Sequence, residues 1–476
     1  MSGKDRRLLG WGRGFRRTGA GLLVVVALSS VQQGTPASAA AGDITTVAGI
    51  GPAFHPFSGD GGPATVAPLN TFDVAADRSG NLYVADLYNN RVRKIDAAGM
   101  LSTYAGNGSQ GFSGDGGPAT AAGLDGGPLS PFQYDGPIGL GVDTAGDLFI
   151  ASYFRVRRVD ARTHVITTVA GDGTPGSGGD NGPGPSAEID GAPGLAVDGA
   201  GNVYLPDAAK SRVRRVDAIT HIITTVAGSG AAGFSGDGGP AKLAAVTPAR
   251  LAVDNAGNLF ISGAGRVRKV SAATGIITTV AGDGIRGSTG DGGMATAAAI
   301  GLNNAYADIA TDVMGNLFIV DQYSMCVRKV DAVSGIITTV ASVSGPYNHS
   351  GYSGDGGPAT SAGLDDPLGL ALNPAGDLFI ADSGRIRKVE AAALPPTVTA
   401  VTPASGPGTG GTMVTITGTG FATAPGVTKV RFRDLLATSV SCSSPTSCTA
   451  ISPAGTGSAH VTVTVAGQSS PMVMGD

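Results

Sequence analysis

Three charged residues stand where a repeated pattern otherwise places glycine. Asp73, Arg250 and Asp308 each lie four positions before an aspartate (Asp77, Asp254, Asp312), whereas Gly139, Gly194 and Gly369 hold the same place before Asp143, Asp198 and Asn373. Two carboxylates beside a guanidinium can grip a polar ligand, but the cation keeps both carboxylates ionised, which suits recognition better than proton transfer. A departure from a repeat at an equivalent position is where function tends to override a structural rule. The plainer reading is an ion-pair cluster that fills a channel, and both readings stand. Phe72 and Tyr306 lie beside the same positions and add a candidate stacking surface.

Little else in the chain suggests catalysis. The five histidines are His55, His164, His221, His349 and His460. None falls on a segment that carries the charged trio, so no imidazole is placed there as base or metal ligand. Cys326 replaces an arginine of the repeat and has no histidine set to activate it; it reads as a small buried thiol. No catalytic set, no metal site and no cofactor is expected.

The elements that position the trio repeat six times. A Gly-Asn/Asp turn followed by an apolar run appears at Gly80, Gly146, Gly201, Gly257, Gly315 and Gly376, with spacings from 55 to 66 residues. A period of that size implies a stacked or radial repeat. Each unit holds four strand-length pieces. The first ends at the aspartate already named, and an Asp/Gly/Asn turn leads into the second, which is apolar on both faces. The third is basic, as in Arg91-Val92-Arg93-Lys94-Ile95, and the fourth is rich in β-branched residues, as in Ile223 to Gly228. Four antiparallel strands in six units predict an all-β, six-bladed propeller, which buries both faces of every sheet and leaves only short edges. An orphan fourth strand at Ile44 to Gly49, and a sixth unit that stops after its third strand near Glu390, predict that the N-terminal strand completes the last blade.

The pattern GNLYVADxxxxRVRKID resembles NHL repeats, and the SGDGGPAT segments resemble a bacterial subset of them. Enzymes of similar architecture, among them amidating lyases, streptogramin lyases and lactonases, use a metal or histidine apparatus at the channel, which this chain lacks at those positions. The SGDGG segments (around Asp60, Asp115, Asp180, Asp237, Asp291 and Asp355) have two readings. They are turns, with proline starting a short helix in all but the Asp291 copy, which has Met294 there, or they supply oxygen ligands to calcium. Arg91, Arg155, Arg212, Arg266 and Arg385 are expected to pair with Asp86, Asp207, Asp321 and Asp382 at the ends of the second strands; the alternative is a surface for acidic ligands.

Residues 1–39 read as a secretory signal peptide: six basic residues, an apolar run from Gly21 to Leu28, and Ala37-Ser38-Ala39. That segment holds six of the 32 basic and one of the 36 acidic residues, so the remainder carries a net charge of −9. This argues against nucleic acid or an anionic membrane as partner, and no later stretch is apolar enough to span a bilayer.

After a propeller over residues 43–393, residues 394–476 change character. Pro403, Gly406, Gly410-Gly411-Thr412 and Gly418-Thr419-Gly420-Phe421 resemble the opening of an IPT/TIG immunoglobulin-like domain, although Arg433 stands where that family usually has glycine. Cys442 and Cys448 lie six apart and are expected to form a disulfide in an exported protein. The sequence thus predicts an extracellular, monomeric scaffold that binds a protein or glycan through the propeller face. The alternative is a hydrolase or lyase working at the channel mouth.

Overall fold

Glycine turns and paired β-branched strands dictate sheets, and sheets are what the computed structural model shows. It describes residues 40–51, 56–124, 136–302, 307–342, 351–391, 396–423, 425–465, 468–470 and 473–474. Among these residues, six antiparallel sheets form the propeller. Blade 1 comprises Thr71–Ala76, Leu82–Asp86, Arg91–Ile95 and Leu101–Ala105, paired in that order from the centre outward. Blade 6 comprises Pro367–Leu372, Leu378–Asp382 and Arg385–Val389, and takes its fourth strand, Asp43–Ala48, from the N-terminal end of the propeller. Ile44 sits opposite Val389 and Thr46 opposite Arg387, so the ring is latched by the first strand, as predicted.

The core lies between blades. Val74, Leu82 and Val84 of blade 1 pack with Ala371, Phe379 and Ile386 of blade 6, and Phe149 and Ala151 of blade 2 pack with Leu195 and Val203 of blade 3. Second strands are covered on both sides, which is why Leu82–Asp86 and Leu378–Asp382 are buried at every residue. At about 25 cal/mol per Å² of apolar surface removed from water, this inter-blade burial is the main force that holds the ring.

Each connector between blades covers the exposed edge of the blade it leads into. Gly61 N–H donates to Leu101 carbonyl (2.8 Å) and Leu101 N–H donates to Gly62 carbonyl (2.9 Å), with the same exchange at Gly116 and Gly117 against Ile166. The outer strand is therefore not left as an unpaired template. The proline that was expected to open a helix caps a single 3-10 turn instead: Pro63 precedes Ala64–Val66, and Pro118 precedes Ala119–Ala121.

The second arginine of the third strand binds the connector. Arg93, Arg157, Arg214, Arg268, Arg328 and Arg387 are at most 5% exposed, and each meets the connector aspartate (Asp60, Asp115, Asp180, Asp237, Asp291, Asp355) at 2.5–2.8 Å. Each also donates to a connector carbonyl, Ser58 in blade 1 and Ser353 in blade 6. The same aspartates accept from the fourth strand, as from Thr103 Oγ1 (2.7 Å) and Thr168 N–H (2.9 Å). An arginine and a threonine thus occupy the carboxylates of the calcium reading. Among the described residues, no cluster of three or more His, Cys, Asp or Glu side chains is arranged to hold a metal.

The expected pairing of Arg91 with Asp86 is corrected. Asp86 meets Arg93 (3.2 Å), and Asp207, Asp321 and Asp382 likewise face Arg214, Arg328 and Arg387 at 3.6–3.7 Å. Arg91 lies directly opposite Asp86 in register, but its guanidinium stacks on Phe57 (3.8 Å) and donates to the Asn89 and Asn107 carbonyls. The fully desolvated Arg93 has the greater need of an anion, and it takes two. Arg155, Arg266 and Arg385 stack in the same way on Phe112, Phe234 and Tyr352 at 3.8–4.1 Å. In blade 5 both partners are gone together: Cys326 replaces the arginine and Ser288 the ring. Cys326 is buried.

The C-terminal unit is a sandwich. Thr397–Thr402, Met413–Thr419, Ser447–Ile451 and Thr438–Ser444 form one sheet; Leu435–Leu436, Thr428–Phe432, His460–Val465 and Gln468–Ser469 form the other, with Val473–Met474 on His460–Val465. Alternation along Met413–Thr419 puts Val414 and Ile416 inside, against Val430, Val461 and Val463. Cys442 and Cys448 face each other on adjacent strands and are joined as a disulfide.

Removing a buried partner of an ion pair leaves an uncompensated charge, so Arg93→Ala is expected to cost about 3–5 kcal/mol. Arg91→Ala, which loses a half-exposed stacking contact, is expected to cost about 1 kcal/mol or less. Urea unfolding of the two variants checks this, and equal losses would overturn the assignment of the clasp to the second arginine.

Candidate functional site

The first strands of the blades begin around the channel, and their starts bring Asp73, Arg250 and Asp308 together. Asp73 belongs to Thr71–Ala76, while Arg250 and Asp308 directly precede Leu251–Val253 and Ile309–Thr311. All three are buried, at 3%, 2% and 8% exposure. Arg250 Nη1 approaches Asp73 Oδ2 at 3.5 Å, and the Phe72 ring lies 5.6 Å from the same guanidinium. Tyr306 lies outside the described residues.

The carboxylates reach across blade boundaries. Asp73 Oδ2 accepts the Leu140 N–H of blade 2 (2.9 Å), and its Oδ1 accepts Val74 N–H (2.9 Å). Asp308 Oδ2 accepts the Leu370 N–H of blade 6 (2.9 Å). Arg250 is fixed by its backbone, whose N–H donates to Ser262 Oγ (3.0 Å).

Glycine fills the remaining places because nothing larger fits. A Cβ on Gly194 would stand 2.8 Å from Arg250 Nη1, and one on Gly369 would stand 2.4 Å from Asp73 Oδ1. A Cβ on Gly139 would stand 2.6 Å from Gly194 Cα. Three charges and three glycines therefore make one close-packed layer. In the sequence the glycines look like the rule and the charges like the exception; in three dimensions each needs the other.

Burial dominates the electrostatics of this layer. Loss of water raises Asp73 to about 7; the Asp308 charge adds to the shift, and Arg250 and the Leu140 and Val74 N–H groups oppose it. Burial raises Asp308 as well, against Arg250 and backbone donors. Burial thus pushes both carboxyls towards the protonated form, in contrast to the fully ionised pair anticipated from charge alone.

At the opposite mouth the ends of the first strands line a cavity of about 560 Å³ that includes Asp77, Asp143, Asp198, Asp254 and Asp312. These carboxylates are committed to their own turns: Asp77 Oδ1 accepts the Ser79 and Asn81 N–H groups, and Asp312 Oδ1 those of Met314 and Asn316. In blade 6 the pair is exchanged, and Asn373 donates to Asp377 with the same geometry. Among the described residues the histidines lie away from this layer: His164 and His221 occupy left-handed turn positions between third and fourth strands, and His460 belongs to the sandwich, while His55 and His349 lie outside the described residues. Burial pushes the Cys326 thiol up, with the Asp321 charge adding to it, which removes it as a nucleophile.

Residues 396–473 match the family model of the IPT/TIG domain. The C-terminal unit is an IPT/TIG domain. No curated protein matches the chain in sequence. Among solved structures, a protein of unknown function from Bacteroides thetaiotaomicron is similar at 18% identity and TM-score 0.49, covering 73% of this chain and 75% of that one. An auxiliary nutrient binding protein from the same organism is similar at 15% identity and TM-score 0.48, covering 72% and 75%. A virginiamycin B lyase from Staphylococcus aureus is similar at 12% identity and TM-score 0.38, covering 67% and 79%. Among the described residues, no helix is long and apolar enough to cross a membrane.

The buried carboxyls set a pH dependence. Burial raises Asp207 and Asp321 to about 6, against Asp190 N–H and Arg214 for the first and Arg328 for the second. A group raised in the folded state holds a proton that the unfolded chain releases above about pH 4, so its stabilising contribution falls as pH rises towards 6 or 7. Burial also opposes ionisation of Asp237, Asp291 and Asp355, but hydrogen bonds from threonine, with arginine or tyrosine, outweigh it and hold them below the ordinary value. Their contribution is lost in acid. Tm is therefore expected to rise from pH 8 to about pH 5.5 and to fall below about pH 4; a Tm that drops steadily from pH 8 to pH 5 would contradict the raised values.

Proposed function

We propose that the protein is an extracellular recognition scaffold, delivered by a cleavable signal peptide at residues 1–39, whose propeller face binds a protein or glycan without altering it. The observation that carries this reading is the internal use of every charge in the channel layer. Asp73 and Asp308 each give one oxygen to a backbone N–H of the next blade, and Arg250 pairs with Asp73. Groups held in this way stiffen a face and do not turn over a substrate. Asp73, Arg250, Asp308 and Phe72 then form the floor beneath the recognition surface; Tyr306, proposed from the sequence as a further contact, lies outside the described residues. Exposed loop residues on the same face, such as the half-exposed Tyr88, make first contact. The net charge of −9 without the leader disfavours nucleic acid and anionic membranes.

The alternative is a propeller hydrolase or lyase at the same mouth, for which the raised carboxyl of Asp73 is the favouring observation. A thermal-shift panel of cell-wall glycans, short peptides, Ca²⁺ and other divalent ions separates the two. A ligand that binds only the native state raises Tm, by the equivalent of about 2.7 kcal/mol at a hundredfold excess over Kd. A glycan or peptide is expected to raise Tm and to be recovered unchanged. Recovery of a cleaved or eliminated product with wild type, and not with the Asp73→Asn/Asp308→Asn double variant, would hand the protein to the enzymatic reading.

A further inference from the structure

The IPT/TIG domain leaves its core open at one end. Thr397–Thr402 and Thr428–Phe432 both run out there, and His460–Val465 begins there, at the end away from where the chain enters the domain. The loops of residues 403–412 and 452–459 rise around a cavity of about 480 Å³. Its floor is apolar: Val414 and Val461 are core residues, and Val401 and Phe432 are only partly covered. Its walls are proline, glycine and hydroxyl residues, and the one charged residue among those that line it is Arg433. A volume of this size, with an apolar lining and few polar groups, is that of a small-ligand site.

Arg433 is held in an unfavourable backbone state to reach this position. Phe432 pairs with Leu435, so Arg433 and Asp434 form a two-residue hairpin turn, and Arg433 takes φ +54° at its first position. Glycine is the residue suited to that place, because a side chain there crowds its own backbone. The Arg433 N–H donates to the His460 carbonyl (2.8 Å), and the guanidinium donates to the Ser458 carbonyl. Gly457 lies beside it at φ +76°, a backbone state that glycine adopts freely. Strain of this kind persists where the surroundings hold it, and it gathers at ligand clamps.

We propose that this cleft binds an apolar group that ends in a carboxylate, with the apolar body on Val401, Val414, Phe432 and Val461 and the carboxylate on Arg433. The fit is one of charge and shape: a lone cation at the lip of a neutral, apolar hollow selects a single anion on an apolar stem. Such a ligand comes from two sources, a free arylalkanoic acid or the C-terminal residue of a peptide. The site is independent of the propeller face.

Isothermal titration of the whole chain tests the proposal. The probes are 3-phenylpropionate, its alcohol 3-phenylpropanol, and acetyl-Ala-Ala-Phe with a free or an amidated C-terminus. The free acid, the free-terminus peptide or both are expected to bind at least tenfold more tightly than the matching neutral probe; which of them binds identifies the source. Arg433→Gly is expected to keep or raise Tm, since it relieves the turn, and to abolish that preference. Arg433→Asn, which also tolerates the turn, provides the same reading. Ala404→Trp, on the exposed wall, is expected to block all probes. No binding by any probe, equal binding of acid and alcohol, or a preference that survives Arg433→Gly would overturn the site.

Discussion

A guanidinium without access to water must be surrounded by acceptors, and the propeller is arranged around that demand. In blade 1 Arg93 sits at the junction of its own strand, the second strand through Asp86, and the connector through Asp60 and the Ser58 carbonyl. Hydrophobic burial supplies most of the free energy, yet apolar faces alone would let a connector slide. The arginine specifies where it lies. The aspartate it binds then pins the fourth strand, so one side chain sets the positions of three neighbouring segments.

That arrangement explains which features were legible in the sequence. Blade number, strand order and the closing N-terminal strand follow from periodic Gly-Asn turns and apolar runs, which are local signals. The clasp was not legible in the same way, because Arg91 and Arg93 are equivalent by type and lie two residues apart on one strand. Choosing between them requires the depth of each, and depth is a property of the assembled blade. The six matched aspartates in the connectors were the available signal, since a carboxylate that recurs in a loop implies a cation that recurs nearby.

The channel layer was half legible. Departure from glycine marked Asp73, Arg250 and Asp308, but the sequence read the glycines as a default. Their closeness to Arg250, to Asp73 and to each other shows that glycine there is a steric requirement imposed by the next blade. The titration behaviour was hidden for a similar reason. A carboxylate beside arginine ordinarily stays ionised, and only the loss of solvent on all sides reverses the balance at Asp73. In the IPT/TIG domain the replacement of glycine by Arg433 was visible, whereas the hollow it faces depends on loops from distant parts of the chain.

The latch between Ile44 and Val389 also has a meaning in time. Ile44 precedes its partner Val389 by most of the length of the propeller, so no local turn can bring the two together, and the fourth strand of blade 6 finds its place only when the ring closes. Until Val389 is made, the ring is an open arc with one bare edge at each end, and its last step joins the most distant parts of the propeller. The loop-entropy cost of that closure grows only logarithmically with length, so the step is slow to arrive but cheap to hold. Once made, it converts a row of blades that could fray from either end into a circle with no first or last member.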